Sequence, residues 1–107
     1  MKLIVAIVSA DDSSKVSREL TKANFPVTKL ATTGGFLMAG NTTFIIGVDD
    51  EKVDDVIAVI SKSSKTRKQI VPTSAAHGIG MISSMPIEVQ VGGATVFVLD
   101  VDQFVKL

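Results

Sequence analysis

The sequence predicts an α+β domain of the ferredoxin-like type, β-α-β-β-α-β with a terminal hairpin. Three observations carry this expectation. Two stretches of helical period, 11–24 and 49–63, stand between β-branched apolar runs. Those runs fall at 2–8, 27–32, 42–48 and 87–101, the order that a split βαβ arrangement requires. Finally, Gly92-Gly93 divides the last run in two, the signature of a two-residue hairpin. At 107 residues, a single domain over 1–107 is expected.

The elements follow in order. "KLIVAIV", 2–8, is β-branched and continuously apolar, as a central strand covered on at least one face should be. "DDSS", 11–14, brings cap-forming side chains and acids suited to a helix N-terminus. In the helix that follows, Val16, Leu20 and Ala23 make one apolar stripe, and Phe25-Pro26 ends it. "VTKLAT", 27–32, and "TTFIIGV", 42–48, are the second and third strands. In "DDEKVDDVIAVISKS", Asp49 or Asp50 is the expected cap, acids fill the first turn, and Val53, Val56, Ile57 and Ile60 form the stripe. Residues 62–86 show no clear period, and an irregular segment of that length inside a small domain is usually functional or mobile. "IEVQVGGATVFVLDV" supplies the terminal hairpin and "DQFVKL" a short tail. Helices on one face of an antiparallel sheet leave the other face bare. Five phenylalanines without Trp or Tyr make a thin core, so the bare face is expected to be a subunit interface.

Composition excludes several function classes. Eleven basic and eleven acidic residues cancel, which speaks against a broad footprint on polymeric nucleic acid or an anionic membrane. Without cysteine there is no disulfide framework and no thiolate metal site. "MKLIVAIVSA" is too short to span a membrane, and the acidic pair after it does not suit a signal peptide, so no membrane insertion and a cytoplasmic location are expected. His77 is the sole histidine and reads as a solvent-facing loop residue. Asp49, Asp50, Glu51, Asp54 and Asp55 lack calcium-loop spacing and read as a charged helix start, so no metal site is expected. Lys62, Lys65, Arg67 and Lys68 read as the solvated end of a helix rather than a phosphate patch, and Met81 and Met85 as packing within the long loop.

Chemistry concentrates in "TKLATTGGFLMAGNTTFIIG", 28–47. Thr32, Thr33, Gly34 and Gly35 can present successive backbone N–H groups, and such nests bind anions, phosphate above all. Phe36 and Leu37 offer an apolar rest for a base. Asn41 can donate and accept, as a purine edge requires. Gly47 lets a planar ring approach the strand. The bland alternative is a hairpin loop with glycines for turning and Phe36 folded inward. Neither a Walker A nor a dinucleotide fingerprint is present, because no lysine follows Gly40 and a strand rather than a helix comes next.

Read together, "KLIVAIV", "VTKLATTGGFLMAGNTTFIIGV" and "EVQVGGATVFVLDVDQF" resemble the PII-like cyclic di-AMP receptor family nearly end to end. The resemblance implies a PII-like homotrimer of ferredoxin-like protomers. It would bind cyclic di-AMP in clefts between subunits, as a signal transduction protein without enzymatic activity or cofactor. It also implies a short loop, 33–41, and a long one, 64–86, which ligand would reorder to regulate an unknown protein target. Carried over by position, Asn24, Thr28, Phe36, Leu37, Asn41, Gly47 and Phe97 would line the pocket. Thr28 would bond phosphate or ribose. Gly35, Phe36 and Leu37 would hold phosphate and cover the adenine. Asn41 and the Gly47 backbone would read its edge, and Phe97 would pack beside it.

Three positions depart from the family pattern. Pro26 stands where an arginine is common, Met38 replaces a basic residue, and Lys106 sits where a glutamine contributes. One lost arginine–phosphate contact costs about 1.5–3 kcal/mol, roughly ten- to a hundredfold in affinity, which Lys29 or Lys106 would have to offset. A second reading is therefore a trimeric scaffold, or a sensor of another adenine nucleotide. A small phosphatase of the same topology is disfavoured, because the loop after the first strand, "SADDSS", is acidic and has no arginine.

Overall fold

The computed structural model of the chain describes residues 1–30, 40–72 and 86–107, and at 69–72, 86–89 and 91 it describes the backbone. The elements are β1 (Lys2–Ser9), α1 (Ala10–Lys22), β2 (Thr28–Leu30), β3 (Asn41–Val48), α2 (Val53–Ser63), β4 (Arg67–Pro72), β5 (Pro86–Val91) and β6 (Ala94–Asp100). A 3-10 turn, Asp50–Lys52, leads into α2. The main sheet has the order β2-β3-β1-β6, and every pair in it is antiparallel. A four-strand antiparallel sheet with two helices is compatible with the expected ferredoxin-like fold.

Alternation along β1 and β3 decides which face is covered. Ile4, Ala6 and Val8 on β1 and Phe44, Ile46 and Val48 on β3 are buried. Val16 and Leu20 of α1 and Val56 and Ile60 of α2 pack onto them. Val53 and Ile57 are half-buried at the margin of the α2 stripe, whereas Ala23, expected in the α1 stripe, is exposed.

Helix ends are built differently from the expectation. Ser9, rather than a residue of 11–14, is the α1 N-cap, and its Oγ accepts from the Asp11 N–H at 3.3 Å. At the other end Asn24 adopts φ 66°. Its N–H donates to the Thr21 carbonyl (3.0 Å) and the Phe25 N–H to the Leu20 carbonyl (2.9 Å), a Schellman closure with asparagine in the left-handed position. Asp49 makes no side-chain cap bond to the turn that follows it. The Asp50 carboxylate instead accepts from the Met1 ammonium at 2.9 Å, which holds its pKa below the ordinary carboxylate range.

The terminal hairpin across Gly92-Gly93 is not formed. β5 pairs with β4, from Arg67↔Val91 to Pro72↔Pro86, in a separate two-stranded sheet, while β6 lies along β1. Part of the segment expected to be irregular is thus a strand. Both glycines have φ 86°, which suits a two-residue turn, but they serve as a corner between two sheets. The Gly93 N–H donates to the Ser64 carbonyl (2.5 Å) rather than back to β5. A Cβ at Gly92 would lie 2.4 Å from the Lys65 carbonyl oxygen, so the chain crosses itself too closely for any side chain there. β6 gains more by filling the open edge of β1 than by folding back on β5, because that edge also completes the cover over the core.

Candidate functional site

Strand register places the expected site residues. Thr28 pairs with Ile45, Ile45 with Val5, and Val5 with Phe97, so these four form one row across the sheet. Facing residues share a side, and Ile45 and Val5 alternate with the buried positions. The row therefore lies on the face away from the helices. Gly47, opposite Leu3, and Asn41, opposite Ser9, lie on that same face. Four of the expected residues thus share one surface. Around them Leu3, Val5, Ile7 and Ile45 are only half-buried, and Leu30, Phe97 and Leu99 are exposed. The bare apolar face expected from the sequence is present.

These residues do not converge within one chain. Thr28 lies on one edge strand and Phe97 on the other, three strand spacings or about 14 Å apart. Asn41 and Gly47 lie on one strand with five residues between them, about 20 Å apart. A single chain cannot bring both to the edge of one purine. Gly35, Phe36, Leu37 and Met38, the Thr32–Gly34 nest, His77, Met81 and Met85 lie outside the described residues, as do most of the 33–41 loop and residues 73–85 of the 64–86 loop.

Asn24 lies elsewhere. With Pro26, Asp49, Lys52 and Asp55 it lines an open cleft of about 640 Å³ beside the start of α2. Two carboxylates against one ammonium make this cleft a poor seat for phosphodiesters. The left-handed backbone of Asn24 already gives it a task in ending α1. Lys29 faces the helix side, opposite Thr28, because it pairs with Phe44. Lys106 lies in the exposed tail beside Phe104 and Val105. Among the described residues no group of three or more His, Cys, Asp or Glu side chains is placed to hold a metal ion.

A further charged contact was not anticipated. The Arg67 guanidinium donates to both carboxylate oxygens of Asp12, at 2.9 and 3.4 Å. This bond and the attraction to Asp12 push the Arg67 pKa up. The sequence presents Asp12 only as one of the acids at a helix start and Arg67 as part of a solvated helix end, and no local pattern links two residues so distant in sequence.

Comparison with known proteins places these features in a family. The model described as "Cyclic-di-AMP receptor" matches residues 1–107. A crystal structure described as a functionally unknown protein from Pediococcus pentosaceus ATCC 25745 is similar at TM-score 0.77 and 45% identity, covering 99% of this chain and 96% of that one. Among the described residues no helix is long and apolar enough to cross a membrane.

Proposed function

This chain belongs to the cyclic-di-AMP receptor family, and we propose that it binds cyclic di-AMP in clefts completed by a second copy of itself, as a cytoplasmic homotrimeric signal receptor without turnover or cofactor. The supporting observation is the placement of Thr28, Asn41, Gly47 and Phe97 on one open apolar face, at positions too far apart to meet in one chain. Copies that cover this face bring the Thr28 edge of one against the Phe97 edge of the next. Covering apolar surface drives the association at about 25 cal/mol per Å². Thr28 donates its hydroxyl to phosphate or ribose. The 33–41 segment, with Gly35, Phe36 and Leu37, holds phosphate and covers one adenine. Asn41 and the Gly47 backbone, from different copies, read adenine edges, and Phe97 packs beside the base. Asn24 acts at the rim and through the helix end it shapes. Ligand rearranges 33–41 and 64–86, which then engage or release a protein target.

Isothermal calorimetry with cyclic di-AMP and with ATP, together with sedimentation, tests this reading. The expected result is saturable heat with cyclic di-AMP on an oligomer. No heat at high micromolar ligand, or monomers at working concentration, overturns it. Pro26 and Met38 favour a second reading, a scaffold or a sensor of another adenine nucleotide. Heat with ATP alone supports the sensor.

A further inference from the structure

The β4–β5 hairpin is a sheet of its own, and its base is bonded to the domain. There Arg67 donates to the Lys65 carbonyl (3.1 Å) and to both oxygens of Asp12 in α1. The Asp12 side chain is 7% exposed and that of Arg67 49%. A carboxylate so enclosed needs its cation, because the buried charge without a partner is strongly unfavourable. Asp12 belongs to the first turn of α1, and so does Ala10, whose N–H donates to the Gly40 carbonyl at 2.9 Å. Gly40 is the residue at which the β2–β3 connection rejoins the sheet before β3. One helical turn therefore holds the end of one connection with a backbone bond and the base of the hairpin with an ion pair, two residues apart.

We infer that this first turn of α1 is a junction that ties the seating of the β4–β5 hairpin to the entry into β3 at Gly40, with Arg67–Asp12 as its link to the hairpin. A turn of helix moves as a unit. A pull on Ala10 from Gly40 shifts Asp12 and lengthens its bonds to Arg67. Conversely, release of Arg67 leaves Asp12 uncompensated, draws the turn toward water and loosens the Ala10–Gly40 bond. The coupling is reciprocal, as any linkage between two equilibria must be. Its meaning for signalling rests on the cyclic di-AMP reading, whereas the junction itself does not.

Amide hydrogen exchange on the full chain without ligand tests it. Arg67→Met should speed exchange of the β4–β5 amides and of the Ala10 amide by about three- to tenfold, leaving the β1–β3 ladder unchanged. Arg67→Lys should have a smaller effect, because lysine keeps the charge without the fork. Hairpin amides that quicken while Ala10 keeps its rate overturn the junction, and so does no change in either or equal acceleration of the β1–β3 ladder. In a second arm, cyclic di-AMP is added to the native chain and to Arg67→Met. Ligand-dependent change in hairpin exchange is expected in the native chain alone. An equal response in the variant overturns the link, whereas failure of the native chain to bind overturns the ligand reading and leaves the ligand-free arm decisive.

Discussion

If Thr28 and Phe97 serve one cleft from two different chains, two defective variants should repair each other. Thr28→Val removes a hydroxyl bond to a charged group, about 1.5–3 kcal/mol, or roughly ten- to a hundredfold in affinity. Phe97 is 53% exposed. An aromatic side chain can bury 150–250 Å², so roughly 100 Å² remains to be covered, about 2.5 kcal/mol at 25 cal/mol per Å². Phe97→Ala should therefore weaken binding by nearly two orders of magnitude. When the two variants are co-refolded in equal amounts, a cleft has both native groups if a Phe97→Ala chain supplies its Thr28 and a Thr28→Val chain its Phe97. Random assembly in a head-to-tail ring makes this about one cleft in four. Titration with cyclic di-AMP at a concentration that saturates only native sites should report that fraction, with sedimentation confirming the native assembly size for each variant. The about 14 Å between the two positions, with Ile45 and Val5 between them, is the reason for expecting exchange between chains. No recovery in mixed samples that retain native assembly size refutes the reasoning.

Other perturbations are simpler. Pro26→Arg should tighten cyclic di-AMP binding by about ten- to a hundredfold if a missing guanidinium–phosphate contact limits affinity, and unchanged calorimetry removes that explanation. Phe44→Ala empties a fully buried position between sheet and helices and should lower unfolding stability by about 3–5 kcal/mol in denaturant titration. Gly92→Ala forces a side chain into φ 86° and against the Lys65 carbonyl. It should cost about 1–3 kcal/mol, read as a lower denaturation midpoint. The Lys2 ammonium donates to Asp100, and this bond and the attraction of that carboxylate raise its pKa above the ordinary lysine value. A raised folded pKa contributes stability at neutral pH that is lost as pH rises through it. The stability difference between the native chain and Lys2→Met should therefore vanish in strongly alkaline buffer.

The legible features were local ones. The i, i+4 spacing of Val16 and Leu20 and the period of Val53, Val56 and Ile60 each report one buried face. Those faces appear as read, except that Ala23 at the end of the α1 stripe is exposed. The family motif was legible for a related reason. "TKLATTGGFL" and "GGATVFV" hold a specific set of residues in a fixed local order, and the match over 1–107 bears out that reading. Gly92-Gly93 was misread because φ 86° at both residues suits a tight hairpin and a corner equally.

The order of residues by itself determined the two helices, the strands of the main sheet, and the family. Those properties are carried by local period or local order and need no distant partner. Tertiary structure alone decided that β6 completes the main sheet while β5 joins β4, that Asp12 meets Arg67, and that Thr28 and Phe97 stand at opposite edges. Periodicity states which side of a strand is covered but not which strand lies beside it, and pairing is settled only when competing edges are weighed against one another in space.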